Sequence, residues 1–522
     1  MLLLTDARVL TLDPERPAGW GVEIEDGVVQ RVLSGPGDCE RRAGTRVVRL
    51  RGRTLAPSFA DAHVHLMSWS RSTTAVDLSG SKDLDDALGR LRRAAAKAAA
   101  GDWVRARNWN RNGWADPSWP TSRQLDRAVG ENPAIVDSHD LHGCWLNSLA
   151  LEKAQAAGLL AADASAESRG VMRQQRRGRL EPTGILREDA AWAVRRLVPP
   201  PAGAVLGGAL EKVFDRLYAM GVTAVCDFDG LSGASELARR QALLNVRASV
   251  LADELAAATA AGLGAGHRLG ERVTLGFLKL FLDGSLGSRT CWMCQPFEGC
   301  EPDCGMRLHD DRELSELARQ GLALGLTLAL HAIGDRANRQ ALDLFAALRP
   351  AHPHAGLRIE HAQLLSPADL GRLASLGVTA SMQPSHLLDD IGTADRLWGD
   401  RSRFAYAFSS LLKSGASVAF GSDVPVGDPD PRIGLAAAVA RQDRRARPPG
   451  GWYPAQAVTP GQAFECYTAS AHAACSPGEP SGRIRPGFRA DLVALEGDPL
   501  AAPVRFAVGE TWISGQSVFR QD

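Results

Sequence analysis

Apolar and polar residues alternate along the middle of the chain in a way that predicts buried strands separated by helices. Eight short apolar runs are predicted strands, at residues 59–65, 222–226, 245–251, 273–281, 326–331, 357–361, 378–382 and 417–423. Helical periodicity marks most of the stretches between them, such as 211–220, 312–324, 337–348 and 367–376. Eight strand–helix units predict an α/β fold, the (β/α)8 TIM barrel, whose functional residues lie at the C-terminal ends of the strands.

The two ends of the chain have a different pattern from the middle. Short alternating runs, separated by turn signals such as Asp26-Gly27 and Ser514-Gly515, occupy both terminal segments. We therefore expect residues 1–56 and 483–522 to form a small composite β-sandwich domain. The barrel domain is predicted at residues 57–482.

One connection is far longer than a normal crossover, and it follows the first predicted strand. This insertion subdomain, residues 66–221, contains an Ala/Arg/Lys-rich helix at 84–100 and a segment rich in Trp, Asn and Arg at 103–119. An insertion at this position emerges on the active face of a barrel, so it is either a lid over the substrate or a solvated excursion. The tryptophan content favours the lid.

Composition bounds the class of protein. The chain has 522 residues, too many for one ordinary core, and hydrophobic residues make up 45% of it. Lys+Arg and Asp+Glu both number 60, so no charge bias indicates nucleic acid or a membrane surface as a partner. The N-terminus lacks signal-peptide features, and no apolar run is long enough to span a bilayer. Nine cysteines, an odd number, favour reduced thiols and a cytoplasmic location.

Candidate chemistry begins with Asp61-Ala62-His63-Val64-His65 in the first strand. Residues i and i+2 of a strand share a face, so His63 and His65 point the same way with Asp61 behind them. Two neutral imidazoles at this spacing can share a zinc, iron or nickel ion. Two unrelated strand histidines would give the same pattern, so the remaining ligands decide the question.

Four further polar residues lie in or at the ends of later predicted strands. Lys279 is in the fourth, His331 ends the fifth, His361 ends the sixth and Asp423 ends the eighth. Singly, each could be an ion-paired lysine, a core histidine or a turn cap. Because all of them fall at the same predicted end of the barrel as the His-x-His pair, a shared metal site is favoured.

This order of residues resembles the metal-dependent amidohydrolase superfamily. The local sequence motifs are similar to those of its amidohydrolase family 3, the branch that includes N-substituted formamide deformylase. The stretches that carry the resemblance are 61–65, 279–289, 331–336, 359–363, 381–386 and 421–425, with His142, Asn147-Ser148 and 487–492 outside the barrel core. Ser58 replaces a usual Gly, and the cysteine-rich segment 291–304 has no counterpart in the pattern.

The resemblance implies a barrel with a small β-sandwich, a site for one or two metal ions, and hydrolysis of a carbon–nitrogen bond. The implied metal ligands are His63, His65, Lys279, His331, His361 and Asp423, with Asp423 and Lys279 as the catalytic residues. The expected cofactor is a divalent metal, zinc in the first place, with iron, manganese or nickel as alternatives.

The chemistry agrees with this set. A metal lowers the pKa of its bound water towards about 7, which supplies hydroxide at neutral pH. Asp423 would hold that water, take its proton and pass it to the departing nitrogen. Lys279 can be a ligand only when it is neutral or carboxylated by CO2, and the carboxylated form has two oxygens that can bridge a metal pair.

Other residues are candidates on weaker patterns. His386, after the seventh strand, could contact the substrate or lie in an ordinary turn, and His142, Trp103 and Arg289 are candidate substrate-binding residues. Cys291, Cys294, Cys300 and Cys304 form C-x2-C-x5-C-x3-C, which either holds a structural metal or is a set of reduced loop thiols.

The sequence thus predicts a cytoplasmic, metal-dependent amidohydrolase that cleaves a non-peptide amide, most simply an N-acyl or N-formyl amine. A cyclic amidase, a deaminase or an esterase would use the same site, and a catalytically silent metal-binding regulatory protein is the alternative from another class. The expected partner is a small-molecule amide, with no nucleic acid and no membrane, and a homo-oligomer is left open.

Overall fold

The computed structural model describes residues 1–38, 44–160, 170–176, 178–201, 203–240, 242–501 and 504–521. The remaining parts of the predicted sandwich and insertion lie outside the described residues. The chain divides into two compact units. The first contains Met1–Ser68, Leu210–Asp283 and Cys291–Asp522, and the second contains Trp69–Ala209 and Gly284–Thr290. The predicted boundaries between sandwich, barrel and insertion stay predictions.

The first unit is built around a parallel sheet in which eight strands follow one another in chain order. These barrel strands are Phe59–Val64, Val222–Asp227, Asn245–Leu251, Val273–Phe281, Thr327–Ala332, Leu357–His361, Thr379–Met382 and Ser417–Phe420. Most of their residues are buried, as expected for strands covered on both faces. The order and the parallel pairing confirm the TIM barrel.

The first and eighth barrel strands meet just beyond their ends. Val64 and Val424 form a parallel bridge, the backbone N–H of Asp423 donates to His63 O at 2.7 Å, and that of His65 donates to Val424 O at 2.9 Å. Main-chain hydrogen bonds therefore bring the residues after the eighth strand against the His-x-His pair.

Helices alternate with the barrel strands, and their ends follow ordinary capping rules. The helix Asp311–Ala323 begins after Asp310, whose carboxylate accepts the N–H groups of Arg312 and Glu313. The helices of this part of the chain are Gly203–Ala219, Gly230–Ala238, Leu255–Ala260, Asp311–Ala323, Asp335–Leu348, Leu370–Ser375, Leu387–Trp398, Phe408–Ser414, Pro431–Ala440, Pro460–Tyr467 and Ala469–Cys475.

The chain ends form two small sheets, one from the N-terminal segment alone and one from both ends. One contains Leu2–Thr5, Gly21–Glu25, Val28–Leu33 and Arg46–Arg49. The other contains Arg8–Leu10, Ala18–Gly19, Thr54–Pro57, Leu492–Asp498, Arg505–Ile513 and Gln516–Arg520. Leu4 and Val22 of the first sheet share one apolar cluster with Leu55, Leu492 and Trp512 of the second. The small sandwich of the predicted fold class is confirmed.

The second unit contains a mixed six-stranded sheet. Its strands are Val76–Asp77, Val104–Trp109, Ala134–Ser138, Gly143–Leu146, Val171–Arg176 and Arg179–Arg187. Its helices are Leu84–Ala95, Ser122–Val129, Ser148–Ala156 and Glu188–Arg195, and the helix Leu66–Ser72 begins in the first unit and ends in the second. The Trp-rich segment 103–119 contains the strand Val104–Trp109 and the 3-10 turn Arg111–Gly113.

Short 3-10 turns complete the fold. They are Pro36–Asp38, Arg111–Gly113, Ala252–Glu254, Pro384–His386, Gly399–Phe404 and Pro454–Gln456. In the described part of the chain, no helix combines the length and the apolar composition that crossing a membrane requires.

Candidate metal centre

His63 is held by a buried chain of polar groups that starts at its Nδ1 atom. Glu360 Oε2 lies 2.6 Å from His63 Nδ1, and Arg358 Nη2 donates to the same oxygen at 3.0 Å. A carboxylate without a proton can only accept, so Nδ1 of His63 carries the proton and Nε2 keeps its lone pair. Among the described residues this Nε2 is buried and has no hydrogen-bond partner. An oriented imidazole with a free lone pair is the usual state of a metal ligand.

His361 is oriented in a similar way. Its Nδ1 lies 2.8 Å from Gln383 Oε1, an acceptor, which leaves the Nε2 lone pair available. The backbone at His361 and at Asp423 is left-handed, with φ of 72° and 58°. Non-glycine residues in this region cost about 1–3 kcal/mol each and cluster at functional sites. The surrounding hydrogen bonds therefore hold both residues in conformations that an isolated chain would avoid.

Asp423 approaches the histidines because Gly421 lets two strand ends come together. A Cβ atom at Gly421 would lie 2.5 Å from His63 N and 2.8 Å from Asp61 Oδ1. Asp61 Oδ1 accepts the N–H groups of His63 at 3.0 Å and Ser422 at 2.9 Å, which fixes the same junction. Asp61 thus connects the first strand to the residues after the eighth strand through these two hydrogen bonds.

The three residues form one compact ligand group. One ligand atom from each of His63, His361 and Asp423 lies within 4.8 Å of the other two, and all three side chains are buried. Asp423 Oδ1 is 3.5 Å from His63 Nε2 and 3.3 Å from His65 Nε2. Two atoms bound to one zinc ion at about 2.1 Å each lie about 3.4 Å apart in a tetrahedral site. The residues present therefore fit a divalent metal.

The charge states also suit a cation. Burial, followed by the charge of Lys279, lowers the pKa of His63 to about 4, and burial lowers the pKa of His361 well below its ordinary value. Both imidazoles are consequently neutral at pH 7. Burial alone would raise the pKa of Asp423, but the nearby His63, His65 and His361 hold it well below its ordinary value. The set offers two neutral nitrogen ligands and one anionic oxygen.

A comparison with known protein families agrees with this geometry. The profile described as the amidohydrolase family, family 3, matches residues 46–519. The chain belongs to the amidohydrolase family.

Individual relatives cover nearly the whole chain of this amidohydrolase. The putative amidohydrolase YtcJ of Bacillus subtilis is 28% identical over 96% of this chain and 96% of its own. The N-substituted formamide deformylase of Arthrobacter pascens is 27% identical, covering 96% and 94%. A crystal structure of an uncharacterized metal-dependent hydrolase from Pyrococcus horikoshii is 26% identical with a TM-score of 0.76, covering 96% and 98%. The predictions of family 3 membership and of a hydrolase acting on carbon–nitrogen bonds are confirmed.

Lys279 of the amidohydrolase lies where the sequence predicts, in the buried fourth barrel strand. Its Nζ atom has no hydrogen-bond partner among the described residues and lies 4.8 Å from the centres of the Phe228 and Phe281 rings. A buried amine without an acceptor is costly, so the position needs a ligand or a modification. Its charge acts on both His63 and Asp423 in the first unit.

His65 and His331 border the three-residue group. His65 Nδ1 is 3.6 Å from Asp229 Oδ1, and hydrogen bonds to Asp229 and Asp423 raise its pKa to about 10 although burial opposes this. The His331 ring centre is 4.4 Å from that of His361, nearly perpendicular to it, and its Nε2 is 3.8 Å from Asp283 Oδ1. The six predicted ligands therefore lie near one another, and His63, His361 and Asp423 form the most compact group.

His386, the predicted residue at the mouth, lies next to Asp423. Its Nε2 is 3.7 Å from Asp423 Oδ2 and has no hydrogen-bond partner in the described structure. Its ring stacks at 6.2 Å on that of His361. A Cβ atom at Gly427 would lie 2.1 Å from Ser422 O and 2.9 Å from His386 Cδ2, so glycine there allows the chain to pack closely against both residues.

The other three predicted substrate residues belong to the second unit. His142 Nδ1 lies 2.8 Å from Glu188 Oε2, and Arg289 closes a turn through its N–H to Leu286 O at 3.1 Å. Trp103 packs on an apolar cluster of this unit, and Trp109 is buried in another. Several tryptophans of the insertion thus pack in the hydrophobic clusters of the second unit itself. The lid stays a prediction.

The cysteine loop gains no support as a metal site. Cys291 is buried, and Cys294, Cys300 and Cys304 are partly buried. Among the described residues, the one group of three or more His, Cys, Asp or Glu side chains that could hold a metal is His63, His361 and Asp423. For this loop, the structural metal and the reduced thiols both stay predictions.

Sequence reasoning misses Arg358, Glu360 and Asp229 as supporting residues. Arg358 and Glu360 are separated by two positions in a buried strand, so both face the barrel interior beside His63. Two charges in an otherwise apolar strand were the available signal. Asp229 lies just past the second strand, where it accepts the N–H groups of Met67 at 2.6 Å and Ser68 at 3.1 Å.

Proposed function

We propose that this amidohydrolase cleaves a non-peptide amide, an N-acyl or N-formyl amine, at the group formed by His63, His361 and Asp423. The observation that carries the proposal is the convergence of these three ligand atoms at the C-terminal ends of the barrel strands. The choice of substrate draws on the N-substituted formamide deformylase, which is 27% identical to the chain. A small molecule is the proposed partner, and the cytoplasmic location is inferred from the cysteine count alone.

The proposed cofactor is zinc, as one or two ions. His63, His361 and Asp423 would hold the first. His65 would join them in its neutral form, because a histidine ligand must give up the proton that the hydrogen bonds to Asp229 and Asp423 favour. Lys279 with His331 would complete a second position. When bound, a divalent metal makes water nucleophilic at neutral pH and polarises the scissile carbonyl.

Asp423 is the proposed proton carrier. Its carboxylate is anionic at pH 7, it lies against the two histidines of the first strand, and its Oδ2 faces His386. A carboxylate oxygen there can accept a proton from the attacking water and deliver it to the leaving nitrogen. The left-handed backbone at Asp423 and the glycine at 421 keep this oxygen in place during the transfer.

Glu360 and Gln383 have a positioning role in the proposal. Each accepts from the Nδ1–H of one histidine, so the Nε2 lone pairs of His63 and His361 keep a fixed direction. His386 is proposed to contact the substrate beside Asp423. His142, Arg289 and Trp103 are further substrate-binding proposals that rest on the sequence.

Lys279 is expected to be carboxylated whenever two metal ions are bound. Its Nζ is buried without a hydrogen-bond acceptor, and a cationic lysine cannot bridge two cations. Burial lowers the pKa of Lys279 to about 8, which increases the neutral fraction that reacts with CO2. Protein loaded with metal in 13C-labelled bicarbonate should show a carbamate 13C signal that Lys279→Met lacks. Two bound metals per chain without that signal would refute the bridge.

The function itself is tested with a substrate panel. Metal-loaded protein is incubated with N-formyl amines, N-acyl amines, cyclic amides, amidines and esters of matched size, and the released amine, ammonia or alcohol is quantified. We expect the highest kcat/KM for an N-formyl or N-acyl amine. Preference for an ester or an amidine would correct the bond, and no turnover of any member would favour the regulatory protein.

A further inference from the structure

Two cysteines from distant parts of the chain meet in the barrel interior. Cys226 lies in the second barrel strand and Cys475 is the last residue of the helix Ala469–Cys475. Their Sγ atoms are 3.1 Å apart, a hydrogen-bond distance, and both residues are buried in one apolar cluster. A disulfide bond is about 2.05 Å long, so a small movement separates this contact from a covalent bond.

The two sulfurs differ in their surroundings. Arg358 Nη1 donates to Cys226 Sγ at 3.4 Å, whereas Cys475 Sγ lies 3.5 Å from Asp61 O. Burial raises the pKa of Cys475 well above its ordinary value; Cys226 is equally buried, yet the hydrogen bond from Cys475 and the nearby arginines lower its pKa. A cysteine with a lowered pKa beside one with a raised pKa is the arrangement of an attacking and a resolving cysteine.

A buried arginine supports a negative charge on this pair. The described hydrogen bonds of Arg247 go to neutral acceptors, namely Ala474 O at 3.0 Å, Gly276 O at 3.1 Å and Thr327 Oγ1 at 3.0 Å. A buried guanidinium requires a counter-charge, and Cys226 is the group that raises its pKa most against burial.

The pair also connects to the proposed metal site through Arg358. The same guanidinium that contacts Cys226 holds Glu360, and Glu360 holds His63 at 2.6 Å. A change of charge at Cys226 therefore changes the negative charge that faces the Arg358 guanidinium. Arg358 in turn donates to the Glu360 carboxylate, which orients the proposed metal ligand His63.

We propose that Cys226 and Cys475 form a redox-sensitive dithiol that a hydroperoxide converts to a disulfide, and that this closure weakens metal retention at His63. The second half rests on the proposed function. Cys475 is 4% exposed and residues 477–480 are exposed, whereas Cys226 is fully buried, so a small oxidant would approach the pair from the Cys475 side.

The reaction balances with the peroxide as the oxidant. The Cys226 thiolate attacks the O–O bond, forming a sulfenic acid and releasing hydroxide. The Cys475 thiol then attacks the sulfenic sulfur, and its proton leaves with the hydroxyl group as water. Two thiols and one hydrogen peroxide give one disulfide and two waters, with two electrons moving from sulfur to the peroxide.

The test uses the full-length, zinc-loaded protein and hydrogen peroxide. After quenching, free thiols are alkylated in denaturant and the peptides are mapped by mass spectrometry. We expect a Cys226–Cys475 cross-linked peptide pair, lighter by two hydrogens and reversed by dithiothreitol, in the wild type and in Cys466→Ser. Cys226→Ser and Cys475→Ser should lack it. Both cysteines remaining alkylated while the partly exposed Cys294 is oxidised would overturn the proposal.

A measurement of metal retention tests the second half of the proposal, the effect of the disulfide on the metal site, separately from disulfide formation. We expect zinc release to a chelator to be about tenfold faster after oxidation. This is the lower end of the effect on metal affinity when a residue that hydrogen-bonds to a metal ligand is lost. The Cys226→Ser/Cys475→Ser double variant should release zinc at a rate that peroxide does not change. A cross-link with unchanged release would overturn the coupling to His63. The cross-link is measured without any hydrolase assay, so its absence is distinguishable from failure of the proposed function.

Discussion

Asp423→Asn should lower kcat by about 10²–10⁴-fold while the protein keeps its metal, because the amide preserves the shape of the side chain and removes the base. The carboxylate lies 3.3 Å from His65 Nε2 and 3.5 Å from His63 Nε2, directly beside the proposed metal ligands. KM should change much less than kcat, since the substitution affects the proton transfer more than substrate binding.

The measurement pairs steady-state kinetics with metal analysis on the same sample, because loss of an oxygen ligand would add to the drop. Asp428→Asn is the matched control, since it changes a carboxylate five residues further along the same loop and outside the ligand group. It should stay within a few-fold of the wild type. An Asp423→Asn protein that works within a few-fold of normal would show that another group carries the proton.

Replacing both His63 and His361 by alanine should remove the metal and with it the activity. These residues contribute two of the three ligand atoms that lie within 4.8 Å of one another. The first position would then keep Asp423 and His65 alone, and two ligands hold a transition metal far more weakly than four in competition with water. We expect about one or two ions per purified wild-type chain and close to none in the double variant.

A matched control distinguishes loss of a ligand from loss of a buried histidine. His472→Ala removes a buried imidazole whose Nε2 lies 3.2 Å from Ser58 Oγ, outside the ligand group. It should keep the metal even if its stability falls. Using the Cys291→Ser/Cys294→Ser background excludes zinc held by loop thiols. Unchanged metal content in the His63→Ala/His361→Ala protein would refute the site.

Much of the barrel can be predicted from the sequence because its strands are continuous apolar runs. The strands Asn245–Leu251, Val273–Phe281 and Leu357–His361 have the predicted bounds. The eighth strand is shorter than predicted and ends at Phe420. Asp423 lies in the turn beyond it, where the Gly421 contact and the left-handed backbone, rather than strand alternation, set its direction.

The ligands could be predicted but their supports could not. A histidine at a strand end is visible in the sequence, whereas the partner of its Nδ1 depends on which strand lies opposite. Glu360 reaches His63 from a position 297 residues away, and Cys226 meets Cys475 across 249 residues. Tryptophan content alone does not predict a lid, because aromatic residues in an insertion also build the insertion's own core.

Metal dependence of the reaction is tested by hydrolysis of the best N-formyl or N-acyl amine by apo-protein to which zinc is returned in steps. We expect no turnover without metal, a rate that rises with zinc until the ligand group is filled, and no rise for His63→Ala/His361→Ala. Hydrolysis by metal-free protein, or a wild type that binds zinc stoichiometrically and hydrolyses no amide, cyclic amide, amidine or ester, would contradict it.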